Sequence, residues 1–286
     1  MRLGAFDRGI PISIQTMGKI VSLKNERVRR VQTLERSTRR RYHEGLFVAE
    51  GLRLVEEVLA AGLPIYEAYY TAAFVESDPG NALVTACATR ANACWEVSEE
   101  VMRALADTET PQGILVVLPI PDLHCDAVAP LTLIPDGIRD PGNLGTMLRT
   151  AWAAGVSQVL LPPGTVDYTN PKVVRAGMGA HFYLPIHRGA WEDIRTSLNV
   201  ARVWLAEAGP GSPYDAVDWR GRVALIVGGE AEGASSEGRA LAAGRHVTIP
   251  MARGVDSLNA AMAAVIVLFE AARQRGVGRE RYPIAP

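Results

Sequence analysis

The chain has little that would tie it together covalently or hold a metal. Its three cysteines, Cys87, Cys94 and Cys125, form no C-x-x-C pair, which argues against a disulfide frame or a zinc site and suits a reducing cytoplasm. Five histidines (His43, His124, His181, His187, His246) make no H-x-x-x-H or H-E-x-x-H pair, so no zinc hydrolase is expected. The longest apolar run, 260–269, is far short of the ~20 residues needed to span a bilayer, and no basic stretch leading into an apolar core opens the chain as a secretion signal would. A soluble, cytoplasmic protein without a membrane partner is therefore expected. No G-x-G-x-x-G follows a strand, no G-x-x-x-x-G-K-[ST] occurs and no Ser sits in G-x-S-x-G, which disfavours a dinucleotide-binding oxidoreductase, a P-loop NTPase and an α/β-hydrolase.

Excess charge is missing as well. The formal net charge of −1 means that any nucleic-acid surface must come from local asymmetry. That asymmetry lies over 19–44, where Lys19, Lys24, Arg27, Arg29, Arg30, Arg36, Arg39, Arg40 and Arg41 face only Glu26, Glu35 and Glu44. Val28, Val31 and Leu34 supply a helical apolar stripe that would leave the arginines exposed. A mixed-charge run is ordinarily a solvated face, but the run Arg39-Arg40-Arg41 favours phosphate contact, with Arg27, Arg39, Arg40 and Arg41 as candidate RNA ligands.

An apolar fraction of 48% and a length of 286 residues fit a soluble protein of two domains. Residues 1–16 show no periodicity and are expected to be a disordered tail, with Met17-Gly18-Lys19 a possible internal start. From 17 to 118, strands over 46–49, 65–70, 94–97 and 114–118 alternate with helices over 51–61, 82–91 and 98–106, a small α/β domain. Pro119, Pro121 and Pro130 mark 119–130 as a linker. Over 131–286 the alternation restarts, with strands at 131–134, 159–161, 182–186, 203–206, 223–227 and 247–249. Helices are expected over 143–154 and 191–198, from Asn170-Pro171 onward, and from Leu258 to Arg275. In the last of these, Leu258, Met262, Val265, Ile266 and Phe269 share one face, expected to be the buried one, and Asp256 or Ser257 can cap the start.

Three strand ends carry distinctive loops, and ligands in open α/β sheets bind beyond such ends. The first runs from Leu133 through Asp140-Pro141-Gly142-Asn143-Leu144-Gly145 to Arg149-Thr150-Ala151. The second is Val227-Gly228-Gly229-Glu230-Ala231-Glu232-Gly233, and the third runs from Ile249 to Asn259. Taken singly, Asn143, Ser257 and Asn259 read as helix caps, Arg149 as a surface arginine and Glu230 as a solvated loop acid.

Together the loops resemble the signature motifs of the SpoU (TrmH-like) branch of the SPOUT RNA methyltransferases. The first is similar to D-P-x-N-x-G-x-x-x-R-T-A, the second to a strand ending in G-[NA]-E-x-x-G. The third, Ile249-Pro250-Met251 with Gly254 and Ser257-Leu258-Asn259, is similar to I-P-M-x-G-x-x-x-S-L-N with one extra residue. Gly229 stands where that family often has Asn, and Ala231 where Gly is common. The segment from Asn170 to Ala180 resembles the family's central stretch, while 39–51 and Thr110-Pro111-Gln112-Gly113 resemble its N-terminal substrate-binding domain, a small fold akin to RNA-binding ribosomal proteins.

The resemblance implies an S-adenosylmethionine-dependent 2′-O-ribose methyltransferase acting on RNA, with 23S ribosomal RNA favoured by the domain layout. Transfer RNA, or a non-catalytic RNA-binding protein on the same fold, is the alternative. It implies a mainly parallel α/β domain with a deep trefoil knot, an exception to the rule that chains avoid knots, and a homodimer without metal. It implies catalytic roles for Arg149, Asn143, Glu230, Ser257 and Asn259, and cofactor contacts from Val227, Gly228, Gly229, Gly233, Ile249, Met251, Ser257 and Leu258. Arg149 would also grip RNA, since a guanidinium is a poor proton acceptor.

Overall fold

The structure is a computed structural model that describes residues 17–124, 129–198, 202–230 and 232–278. The expected tail 1–16, Cys125 and Ala231, part of the expected linker, and 279–286 lie outside the described residues. The chain divides into two compact units, Met1–Pro119 and Ile120–Pro286.

The first unit runs β1 (Lys19–Ile20), α1 (Glu26–Arg36), α2 (Thr38–Glu44), β2 (Leu46–Glu50), α3 (Leu52–Ala60), β3 (Ile65–Thr71), α4 (Ala72–Val75), α5 (Asp78–Arg90), β4 (Ala91–Val97), α6 (Glu99–Leu105) and β5 (Ile114–Pro119). Its sheet has the order β1-β4-β3-β5-β2, with β5 antiparallel to both neighbours and the other pairs parallel. Val28, Val31 and Leu34 on α1 and Val101, Met102 and Leu105 on α6 pack over Leu46, Val48, Tyr69, Leu115 and Val117. The stripe in the basic stretch is thus buried as expected, but the stretch is two helices, broken at Ser37, whose Oγ accepts from Arg40 N at 3.3 Å. Glu50 accepts from Asp107 N at 3.1 Å and from the Thr108 hydroxyl. Gln112 Oε1 accepts from Leu52 N at 2.8 Å and supplies the cap that Gly51, at φ 97°, cannot.

The basic run is largely committed to the fold. Arg41 is 2% exposed and donates to the Leu34 carbonyl at 2.7 Å and to Thr38 Oγ1 at 3.0 Å. This corrects its expected role in RNA contact: it ties α1 to α2 from inside. Arg27 is bonded to the buried Glu67 and lies 4.6 Å over the Trp95 ring, and Arg40 is paired with Glu44. Arg30 also pairs with Glu44, at 2.6 Å. Burial alone would raise the Glu44 carboxyl; Arg30 and Arg40 outweigh it and hold it below the usual range. Only Lys24, Arg29, Arg36 and Arg39 of the run have side chains without a charged partner among the described residues.

The second unit runs β6 (Leu131–Asp136), α7 (Pro141–Ala153), β7 (Gln158–Leu161), α8 (Pro171–Gly177), a 3-10 turn (Ala180–Phe182), β8 (Ile186–Arg188), α9 (Trp191–Leu198), β9 (Arg202–Ala206), β10 (Ser212–Pro213), β11 (Val223–Gly228), α10 (Ser236–Ala242), β12 (His246–Thr248) and α11 (Ala260–Arg275). The strand expected over 182–186 is instead the 3-10 turn followed by β8. Pro185 has no N–H to donate, and its carbonyl accepts from Val159 N at 2.8 Å as the ladder begins. The sheet order is β10-β12-β9-β11-β6-β7-β8, every pair parallel. Val223, Leu225 and Val227 face α7 and α11, while Ala224 and Ile226 face the layer containing α9 and α10, as the two-residue period of a strand buried on both sides requires.

The last helix buries the face opposite to the one expected. Ala260, Ala261, Ala264, Val267, Leu268, Ala271 and Ala272 pack inward, while Met262 and Phe269 are 49% and 50% exposed. Small residues let α11 lie close against α7 and β11, where the larger stripe would not fit. The same economy of space explains Gly145 on α7: a Cβ there would lie 2.3 Å from Ala176 Cβ and 2.8 Å from the Val173 carbonyl oxygen of α8.

Candidate functional site

The carboxyl ends of β6, β9, β11 and β12 open on one side of the second sheet. Pairing sets Gly228 beside Asp136, and Ala206 beside both Val227 and Val247, so the loops that leave these strands start as neighbours. Asp140 caps α7 by accepting from Asn143 N at 2.8 Å, and Pro141 follows at the first helical position. Asn143 is thereby freed from capping, and its side chain does something else. Its amide donates to Glu230 Oε1 in the glycine loop, and its Oδ1 accepts from Asn259 Nδ2 at 3.1 Å. Asn259 Oδ1 accepts in turn from Ala261 N at 2.9 Å and Met262 N at 3.2 Å, so Asn259 caps α11. Neither Asp256 nor Ser257 is the cap, and α11 begins two residues after the expected Leu258.

The glycine loop is shaped by close approach. A Cβ at Gly228 would lie 2.3 Å from Ala234 N, and one at Gly229 would lie 2.5 Å from the Gly137 carbonyl oxygen. Glycine at 229 therefore brings the loop against the turn after β6. Gly233 donates its N–H back to the Gly229 carbonyl at 3.0 Å and closes the loop. Behind it, burial pushes the Asp136 carboxyl above its usual range, against two bonds from Ser235, whose N and Oγ lie at 2.7 and 2.8 Å. At the mouth, Arg139 reaches Glu232 at 3.1 Å.

These loops enclose a cleft of about 570 Å³. Every cofactor candidate from the sequence lines it: Val227, Gly228, Gly229, Gly233, Ile249, Met251, Ser257 and Leu258, together with Glu230 and Asn259. Sequence reasoning missed Glu207 and Arg239, which also line it. The available signal was an acid directly after a strand end, at Ala206-Glu207. Arg149 is not brought to this group. It stands exposed on α7, six residues past Asn143 and so about 9 Å along the helix, without a hydrogen-bond or ion-pair partner among the described residues. The side chain of Asn143 bonds to Glu230 and Asn259. A volume of this size suits a small-molecule ligand, and the cleft offers apolar side chains and loop backbone for a flat group beside a few polar ones.

Comparison with known proteins agrees with this geometry. Residues 130–269, which hold all three loops, match the SpoU rRNA Methylase family, and residues 25–116 match the MRM3-like substrate binding domain. A Xenopus laevis protein named rRNA methyltransferase 3, mitochondrial, is 32% identical over 87% of this chain and 74% of its own length. The chain belongs to the SpoU rRNA methylase family. Its family relatives include the 23S rRNA (guanosine(2553)-2′-O)-methyltransferase RlmP of Bacillus subtilis, 32% identical over 88% of this chain and 98% of that one. A crystal structure of an AdoMet-bound rRNA methyltransferase from Sinorhizobium meliloti superimposes with a TM-score of 0.78 at 32% identity, covering 89% of this chain and 97% of that one.

In this SpoU member the Asn259 side chain carries two separable duties, capping α11 and bridging to Asn143. Asn259→Ala is expected to lose about 1–2 kcal/mol in urea unfolding, the scale of a lost cap. Asn259→Asp keeps the capping oxygen without the amide donor and should recover most of that loss. Unchanged stability in the alanine variant would remove the capping role.

Proposed function

We propose that this chain is an S-adenosylmethionine-dependent 2′-O-ribose methyltransferase of large-subunit (23S) ribosomal RNA. The observation that carries the reading is the bridge from Asn143 to both Glu230 and Asn259, which draws three loops into one cleft at the strand ends. The family, the 2′-O activity named for the Bacillus subtilis relative and the AdoMet named with the Sinorhizobium meliloti structure support the chemistry. Transfer RNA, the alternative substrate, has less support, because these relatives are named for ribosomal RNA.

The residues present suit the cofactor. Val227, Ile249, Leu258 and Ala260 offer an apolar slot for the adenine, and the glycine loop offers close-approaching backbone. Once bound, the cofactor supplies an electrophilic methyl on its sulfonium. Methyl transfer then depends on positioning the ribose hydroxyl in line and on stabilising the oxygen as it loses its proton. Arg149, charged and without an internal partner, suits a grip on the neighbouring phosphate and on the developing alkoxide. Asn143, Glu230 and Asn259 hold the cleft walls in register, with Ser257 at the rim.

A homodimer belongs to the same reading. Leu258 just before α11, Met262 and Phe269 on α11 and Trp152 on α7 form exposed apolar surface, and Arg149 lies one turn before Trp152. The knot implied by the resemblance is part of it too, and so is a cytoplasmic site of action, supported by the free, buried Cys87 and Cys94. Among the described residues no helix is long and apolar enough to cross a membrane.

Tritiated methyl transfer from S-adenosylmethionine to purified 23S, 16S and transfer RNA tests the activity, with mapping of 2′-O-methyl marks. Label on 23S RNA is expected; label only on transfer RNA would overturn the substrate reading. Arg149→Ala should reduce kcat by at least about 100-fold while leaving the Kd for S-adenosylhomocysteine within about threefold, and full activity would exclude Arg149 from the mechanism. Reversing Arg29, Arg36 and Arg39 to Glu should weaken RNA binding and flatten its salt dependence, whereas Arg41→Ala should lower the melting temperature instead. An unchanged salt slope would move the RNA surface elsewhere. Met262→Asp with Phe269→Asp should convert dimers to monomers in sedimentation; a dimer that persists would place the interface on another face.

A further inference from the structure

The cleft has a charged wall that the roles above leave unused. Glu207 directly follows β9, its N–H donating to the Val247 carbonyl at 3.1 Å, so its side chain emerges at the strand ends between the β11 and β12 loops. The side chain is 28% exposed and is held from two directions. Oε1 pairs with the Arg239 guanidinium of α10, and Oε2 lies 3.0 Å from His246 Nδ1. Gly233 covers the pair closely: a Cβ there would lie 3.1 Å from Arg239 Nη2 and 3.9 Å from Glu207 Oε1. Both Glu207 and Arg239 line the cleft, with the apolar Ile249, Leu258 and Ala263 also in its walls.

A carboxylate has about four lone-pair sites, and Arg239 and His246 occupy two of them, which leaves about two for a ligand. The ligand group is narrowed by charge. A phosphate would be repelled by the carboxylate, and a second cation would compete with the Arg239 guanidinium already in place. Neutral paired donors meet neither objection. We infer that Glu207 accepts hydrogen bonds from the two ribose hydroxyls of S-adenosylmethionine, with Arg239 and His246 fixing the orientation of its carboxylate. This rests on the cofactor reading above and assigns it a specificity-determining residue. The geometry is that of an acid at a strand end beside a glycine loop, a general solution for reading a nucleoside diol.

The test is isothermal titration of the full chain with S-adenosylhomocysteine, 5′-methylthioadenosine and the 2′-deoxy form of methylthioadenosine. Methylthioadenosine keeps the diol but lacks the amino-acid end. In Glu207→Ala, affinity for the first two ligands should fall about tenfold or more, the scale of hydrogen bonds to a charged group, while the deoxy ligand changes much less. Glu207→Gln, of the same shape, should show a smaller loss in the same pattern, and melting curves confirm that both variants are folded. Weakened S-adenosylhomocysteine with unchanged methylthioadenosine would assign the carboxylate to the ligand's ammonium and overturn the inference. So would unchanged affinities throughout, or an equal loss for the deoxy ligand. Wild-type protein that binds none of the three removes the cofactor reading itself, and this inference with it.

Discussion

The second unit's site depends on one side-chain amide. Asn143 donates to Glu230 and accepts from Asn259, and these two bonds join loops separated by 87 and 116 residues of sequence. An amide is suited to this because it offers a donor and an acceptor on one rigid plane; an ionised acid in the same place would only accept and would leave Glu230 without a donor. The bridge is available only because Asp140 has already capped α7. It is secured at the far end because Asn259 turns its oxygen to the first amides of α11. A capping relay thus connects three helix and strand ends, and the cleft is what remains between them.

The parallel sheet makes that arrangement possible. With every pair parallel, β6, β9, β11 and β12 deliver their loops to the same edge, and both faces of the sheet are covered by helices. Close approach does the rest. Gly145 lets α7 sit against α8, the alanines of α11 let it sit against α7, and Gly228 and Gly229 let the loop after β11 lie on Ala234 and Gly137. Met262 and Phe269 of α11 are left outside, where they face solvent in this single chain.

The first unit shows the limit of reading charge from a string. Nine basic residues against three acidic ones look like a phosphate-binding surface. In the fold, acids from outside the run are brought to them: Glu67 from β3 takes Arg27, and Glu96 from β4 takes Lys19. Arg41 is turned inward to satisfy backbone carbonyls at the end of α1. What remains for an anionic partner is a smaller set just before and on α1 and α2, with Arg39 its one member among the residues singled out from sequence.

Much of this protein was legible before folding. Local rules sufficed for most of the alternating strands and helices and for Pro141 and Pro171 at helix starts, because these depend on near neighbours, whereas the three loops that line the cleft were legible through their resemblance to one family's motifs. The sequence could not say which of Asp256, Ser257 and Asn259 caps α11, since all three are competent caps and only packing selects the start of the helix. Nor could it say which side of α11 is buried: apolar residues surround that helix, so periodicity allows both faces and the space beside α7 chooses the alanines. Glu207 belongs to the site through the strand order that sets β9 between β11 and β12, and Arg239 of α10 through its ion pair with Glu207. Sequence by itself determined most of the elements and, through the family resemblance, the chemistry they carry. Tertiary structure decided which faces, caps and charges meet, because those choices depend on distances between residues far apart in the chain.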